Sequence, residues 1–167
     1  MNPRLLTASD IDAYRAIRLE MLNDSPWAFA SSPEDDRAFV DGAMEELVAD
    51  PEHKIVVVDH PDDDRLACAV GVRRETKAKF RHRVSIWGVY TTPTARGKGL
   101  ARMAMEHAIG IARSWEGVRY IGLAVSANAP AALALYESLG FVRWGHEPAA
   151  TCIDGVEYDE LYLSMKL

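Results

Sequence analysis

The stretch "TTPTARGKGLARMAMEHA", Thr91–Ala108, decides how the chain is read. Two glycines and two cations crowd a short loop, and an apolar stripe of Leu100, Ala104, Ala108 and Ile111/Ala112 follows at once. That stripe has helical spacing. Gly97 and Gly99 permit dihedrals that aim consecutive N–H groups into one concavity. A helix opening near Gly99 adds its unsatisfied N-terminal donors and the positive end of its dipole. Arg96 and Lys98 add full charges. The spacing predicts a loop that cradles a pyrophosphate without a metal.

Two well-known phosphate loops do not fit. GxxxxGK[ST] places Ser or Thr after the lysine to hold magnesium, whereas Lys98 is followed by Gly99. GxGxxG needs a third glycine for close helix–strand packing, and "GKGLAR" puts Arg102 there. A plain glycine turn between strand and helix is the remaining alternative for the loop taken alone.

Upstream, "RVSIWGVYT" (Arg83–Thr91) reads as a strand whose interior Gly88 marks a bulge or a close backbone approach. "KIVVVDHPDDDRLACAVGVRR" (Lys54–Arg74) reads as strand, turn, strand, with β-branched Ile55–Val58 and the turn chemistry of "HPDDD". Before it, Ser9 is the expected N-cap of a helix carrying Ile11, Tyr14, Ile17 and Met21/Leu22. A second helix is expected to start at Ser32-Pro33 with Glu34, Asp35 and Asp36 in its first turn. It would run through Val40, Ala43/Met44 and Leu47 to Asp50, with Gly42 costing it about 1 kcal/mol. Downstream come the strand "VRYIGLAVS" (Val118–Ser126), the helix "NAPAALALYESLG" (Asn128–Gly140), and the strands "FVRWGHE" and "EYDELYLSMKL". The fold class is α/β: a mixed, mainly antiparallel sheet with helices on both faces, in a single domain spanning residues 1–167.

The bulk numbers exclude several classes. At 167 residues, 49% hydrophobic and 26% charged, the chain is an ordinary globular protein. A formal charge of -6 disfavours nucleic acid as a partner. Cys68 and Cys152 are the only cysteines, with no CxxC, so neither a disulfide framework nor a zinc site is expected and no metal is assigned. No signal peptide or membrane span is read, and the expected location is cytoplasmic. The one basic run, "RRETKAKFRHR" (Arg73–Arg83), reads as a solvated hairpin tip or as an attractor for an anionic acceptor.

The run "VYTTPTARGKGLA" resembles the acyl-CoA-binding motif of the GNAT superfamily of N-acetyltransferases, (Q/R)-x-x-G-x-(G/A) after a strand, with Arg96, Gly99 and Ala101 at its defining positions. "NAPAALALYESLGF" (Asn128–Phe141) is similar to the superfamily's asparagine followed by a helix ending in LYxxLGF. "RLEMLNDSPWAFASSPEDD" is similar to the opening of one of its subgroups, with a Pro-x-x-Phe segment at Pro26–Phe29. The two downstream motifs stand at the right separation, and together the likeness spans nearly the whole chain.

The resemblance implies an acetyl-CoA-dependent acyltransferase acting on a primary amine. It implies that the backbone of Val89, Tyr90 and Thr91 receives the pantetheine arm and that Gly88 splays this strand from "IGLAV". Arg96, Gly97, Lys98, Gly99, Leu100 and Ala101 would bind the pyrophosphate with help from Arg102, and Asn128 would contact the pantetheine or a water. Tyr136 would belong to the cofactor site too and would be the general acid, since a phenol with a pKa of about 10 matches a departing alkyl thiolate. Trp27 and Phe29 lie in the loop that walls the acceptor site in such proteins, and many members pair as homodimers. Many members also carry a glutamate on the strand before the loop; here that strand offers Ser85, so the base is unassigned. Glu34, His82, Glu157 and Asp159 are candidates by composition alone, and a water chain is another. Two other functions fit the same residues: a non-catalytic acyl-CoA sensor, and a toxin acetylating aminoacyl-tRNA, which the net charge disfavours.

Overall fold

Ile55–Val58 carry the packing logic of the molecule. Val56 and Val58 are buried in one apolar cluster with Leu100, Ala104, Met105 and Leu163. Ile55 and Val57 are buried in another with Tyr14, Ile17, Met21 and Met44. A strand covered on both faces needs an unbroken apolar run, and each fully buried valine or isoleucine contributes roughly 1.5–3 kcal/mol.

The computed structural model describes residues 2–167. Its strands are β1 (Arg4–Leu5), β2 (His53–Asp59), β3 (Leu66–Arg74), β4 (Arg83–Thr91), β5 (Tyr120–Ser126), β6 (Val142–Ile153) and β7 (Val156–Lys166). Its α-helices are α1 (Ile11–Asp24), α2 (Ala43–Ala49), α3 (Leu100–Ser114) and α4 (Pro130–Ser138). The strands form one sheet in the order β1-β2-β3-β4-β5-β7-β6. Only β4 and β5 run parallel; every other neighbouring pair is antiparallel. α1 and α2 cover one face and α3 and α4 the other, as the sequence pattern predicts.

The contact between β4 and β5 positions the site. Their pairing covers only Arg83–Ser85 against Tyr120–Gly122, after which the strands part. On its other side β4 pairs with β3, where Gly71 opposes Trp87 and Ala69 opposes Tyr90, leaving one extra residue on β4. That bulge contains Gly88, whose φ of 59° lies in the left-handed region. Gly88 therefore marks the bulge as expected, while the separation from β5 starts three residues earlier.

Several local expectations are corrected. The helix expected from Ser32 begins only at Ala43. Gly42, with φ 75°, is its N-cap rather than an interior residue, and residues 33–35 form a turn. A left-handed residue cannot continue a right-handed helix, so Gly42 ends the possibility of one long element. Ser9 is not the cap of the first helix. Asp10 accepts from the Thr7 N–H at 2.8 Å, opening a 3-10 turn that leads into α1. β1 is two residues long, too short to leave a periodic signal, and β6 continues past Glu147 to Ile153 with a break in register near Ala149 (φ 51°).

Candidate functional site

Where β4 parts from β5, a cleft of about 600 Å³ opens between the end of β4, the start of α3 and the start of α4. Val89, Tyr90, Thr91, Arg96, Gly97, Gly99, Leu100, Ala101, Arg102, Asn128 and Tyr136 all line it. Of the residues singled out from the sequence for a cofactor, Lys98 alone does not; its Nζ stands 3.6 Å from Asp62. Ser25, Trp27 and Phe29 complete the wall.

The loop is shaped by its glycines. Gly97 and Gly99 have φ of 77° and 78°, and a Cβ on either would meet no protein atom within 4 Å. Both glycines border open space, and Gly99 is the N-cap of α3, so the first turn's free N–H groups face the cleft. The cations are less free than the sequence suggests. Arg96 donates from Nη2 to Asp24 and from Nε to the Thr91 carbonyl at 3.0 Å. Its guanidinium also lies 5.6 Å from the Tyr90 ring centroid. Arg102 donates to the Ser138 hydroxyl and sits 3.5 Å from Glu106. Charge at this end is thus shared with Asp24, Asp62 and Glu106, and the main-chain amides that open α3 stand beside it as further donors.

Glu20 pins the end of β4 to α1. Its carboxylate accepts from the Tyr90 hydroxyl at 3.1 Å and from the Thr92 hydroxyl. Sequence reading did not find this residue, because its partners lie some seventy positions away.

Tyr136 is placed by the end of α4. Leu139 is the C-cap and Gly140, at φ 95°, is C′. The Gly140 N–H donates to Glu137 O at 3.0 Å and the Phe141 N–H to Tyr136 O at 3.1 Å, the paired bonds of a Schellman ending. The Phe141 ring packs on the Tyr136 ring at 6.1 Å, supplying the apolar contact that accompanies that motif. Tyr136 is only 5% exposed, and burial raises its hydroxyl above the usual tyrosine range, helped by the neighbouring Cys68. The phenol is therefore protonated at neutral pH. Asn128 precedes the N-cap Ala129, and no side chain caps this helix, so capping does not account for Asn128.

The strand gap leads onward. Ile86, Gly88, Val89, Ala124, Ser126 and Tyr136 line a narrow passage through the sheet. It shares Val89 and Tyr136 with the first cleft, and Gly88, Trp87 and Ala124 with a second cavity of about 410 Å³ on the α1–α2 face. That cavity holds Arg18, Phe29, Asp36, His53, Arg73, Trp87 and Glu160. Arg18 and Asp36 form an ion pair at 2.6 Å with side chains 7% and 6% exposed. The Arg18 guanidinium lies against both Phe29 and Trp87.

The composition-based candidates for a base fall elsewhere. Glu34 is exposed in a turn, His82 packs on Tyr120, and Glu157 is exposed on β7; none lines the cleft, the passage or the second cavity. Asp159 touches a small recess, with its carboxylate held by His146 at 2.7 Å and the Ala149 N–H at 3.0 Å. Ser85 donates to Glu75 at 2.7 Å. The charged residues that do reach the second cavity come from α1, the loop before α2, and β2, β3 and β7, and share no local sequence signal.

Residues 18–141 match the family model of the acetyltransferase (GNAT) family. Several solved structures share the fold. The acetyltransferase of GNAT family from Streptococcus pneumoniae is 16% identical with a TM-score of 0.85, over 99% of this chain and 98% of that one. A GNAT superfamily phosphinothricin acetyltransferase from Sinorhizobium meliloti, solved in complex with AcCoA, is 19% identical with a TM-score of 0.83, over 99% and 88%. A ribosomal-protein-alanine N-acetyltransferase from Brucella melitensis is 20% identical with a TM-score of 0.79, over the full length of both chains. No curated protein matches the sequence. At such identities the likeness speaks for the fold.

Proposed function

Because the chain belongs to the GNAT acetyltransferase family, we propose that it transfers the acetyl group of acetyl-CoA to a primary amine by direct attack within a ternary complex. The observation that carries this reading is a continuous path: a large cleft, a gap between two parting strands, and a second cavity, with the Tyr136 side chain at the junction.

The cleft fits the cosubstrate. Glycines with positive φ beside open space leave room for a diphosphate against the amides that open α3, where the helix dipole favours negative charge. Arg96 acts by holding the loop to α1 through Asp24 rather than as a free charge. Arg102 and Asn128 flank the diphosphate and pantetheine ends respectively. Past Ser85, β4 keeps its ladder with β3 but has lost β5 as a neighbour, so one backbone edge of Val89–Thr91 is left to meet the pantetheine amides as an added strand would.

The amine reaches the thioester from the second cavity and attacks as the free base. Its nitrogen forms a bond to the thioester carbonyl carbon, the carbon–sulfur bond breaks, and the amine proton leaves through the second cavity. Tyr136 gives its phenolic proton to the departing sulfur and regains one from solvent. Burial keeps that proton in place until sulfur develops charge. A panel of primary amines offered with acetyl-CoA, read by release of free thiol, tests the assignment. Amine-dependent thiol release is expected; saturating acetyl-CoA that binds outside the cleft, or does not bind, would overturn it.

A further inference from the structure

The second cavity has a charge pattern that the acetyl-transfer reading does not use. Arg18 is neutralised by Asp36, and Arg37 reaches Glu46 at 3.1 Å. Two charges are left over among the described residues lining this cavity: Arg73 has no acidic partner, and Glu160 has no basic one. They lie on opposite sides of the strand gap. Arg73 is on β3, paired with Ser85 of β4, while Glu160 is on β7, paired with Ser126 of β5.

Arg73 itself is exposed, and two buried polar atoms on its side stand idle. Trp87 Nε1 and His53 Nε2 are both buried without a hydrogen-bond partner. An orphaned buried donor costs about 1–3 kcal/mol, a cost that a bound acceptor atom removes. His53 and Arg73 are cross-strand neighbours, and the His53 and Trp87 rings meet edge-on at 5.3 Å. Burial, and then the Arg73 cation, push the His53 pKa down to about 4, so the ring is neutral at pH 7 and adds no competing charge. Glu75, the carboxylate nearest in sequence, is engaged by the Ser85 hydroxyl. Glu160 is on the face shared with Ala124 and the passage to Tyr136, which places the lone carboxylate on the amine side.

We propose that this cavity selects a small zwitterionic acceptor, an amine that also carries a carboxylate, with the amine toward Glu160 and the carboxylate against Arg73 and the Trp87 Nε1–H. The inference rests on the second cavity being the acceptor site. About 410 Å³ with aromatic walls at Phe29 and Trp87 suits a molecule of amino-acid size. Glu160 attracts the ammonium form, which loses its proton to solvent before the free base attacks.

Calorimetry on the protein saturated with CoA tests this without relying on turnover. The probes are L-methionine and 5-aminopentanoate, each against its own carboxamide, so that short and long amine–carboxylate spacings are both covered. At least one acid is expected to bind about tenfold or more tightly than its amide, the worth of one charge-assisted hydrogen bond. Arg73→Gln should erase that preference and Arg73→Lys should restore part of it, with the melting temperature and CoA affinity unchanged. Amides that bind as well as the acids, acids that do not bind, or an Arg73→Gln variant that weakens acid and amide equally, would each overturn the proposal. Acetylation of neutral amines alone would sink it while leaving acetyl transfer intact.

Discussion

The Trp87 indole lies across Gly71 of the neighbouring strand, so close that a Cβ on Gly71 would stand 2.1 Å from Trp87 Cε2. Glycine is needed there because the ring, held between His53 and Arg18, has filled the space above the β3 backbone. Gly71→Ala must push the indole out of its slot, and overpacking of this kind costs about 1–3 kcal/mol. Urea unfolding is expected to show that loss. Because Gly71 does not line the first cleft, the acceptor KM should rise while acetyl-CoA affinity holds. Unchanged stability and KM would mean the ring has another place to go.

The Arg18–Asp36 pair ties the loop before α2 to α1. Removing the carboxylate as Asp36→Ala leaves a buried guanidinium without a counter-charge and should cost about 3–5 kcal/mol, read by denaturant midpoint. Asp36 also accepts from the Ala38 N–H at 2.9 Å. Burial works to raise the Asp36 pKa, but the Arg18 hydrogen bonds and the Ala38 N–H outweigh it and hold the group below the usual carboxylate range. A depressed pKa stabilises the fold above the unfolded value of about 3.9 and loses that contribution as pH falls toward the lower folded value. The wild type should therefore lose stability more steeply below about pH 4 than Asp36→Asn does. Parallel acid limbs would assign the acid sensitivity to other carboxylates.

What the sequence disclosed was what neighbours in sequence decide. The glycine turn before α3, the end of the helix at Gly140 and the strand through Ile55–Val58 each follow from residues within a few positions of one another, and each is where the pattern put it. The helix expected from Ser32 failed because an apolar spacing carried through Gly42 looks continuous until the left-handed dihedral is known. The second cavity could not be read at all. Arg18, His53, Arg73 and Glu160 meet only because β7 inserts beside β5 and because β4 leaves β5 after Ser85, and no local spacing encodes either event. The pairing of Arg96 with Asp24 was hidden for the same reason.

Gly99→Val tests the cradle. The new Cβ would meet no protein atom, so the fold should survive, with a penalty of roughly 1–2 kcal/mol for a side chain at φ 78°. The branched side chain would instead fill the space where the diphosphate is proposed to lie. Acetyl-CoA affinity measured by calorimetry is expected to fall to undetectable while circular dichroism keeps its native shape. Unchanged affinity would move the diphosphate away from the start of α3.

Tyr136→Phe removes one oxygen and keeps the ring packed on Phe141. If the phenol protonates the departing sulfur, kcat should fall about 10²- to 10⁴-fold, the usual worth of a positioned general acid. Binding should not change: the proposed grip on acetyl-CoA comes from main-chain amides at the other end of the cleft, so its Kd is expected to match wild type. The pH profile separates this role from a packing role. Burial raises the Tyr136 pKa, so the wild-type rate should show no alkaline loss due to this group up to about pH 10, while the rise from acid pH reports deprotonation of the amine. The variant should keep that rise at a lower plateau. Gly140→Ala offers the complementary control, because it strains the φ 95° ending that places the ring yet leaves the hydroxyl in the chain. It should lower kcat by less than Tyr136→Phe and should also lower the melting temperature, which Tyr136→Phe should affect little. A Tyr136→Phe enzyme that turns over at the wild-type rate would transfer the proton-donor role to solvent.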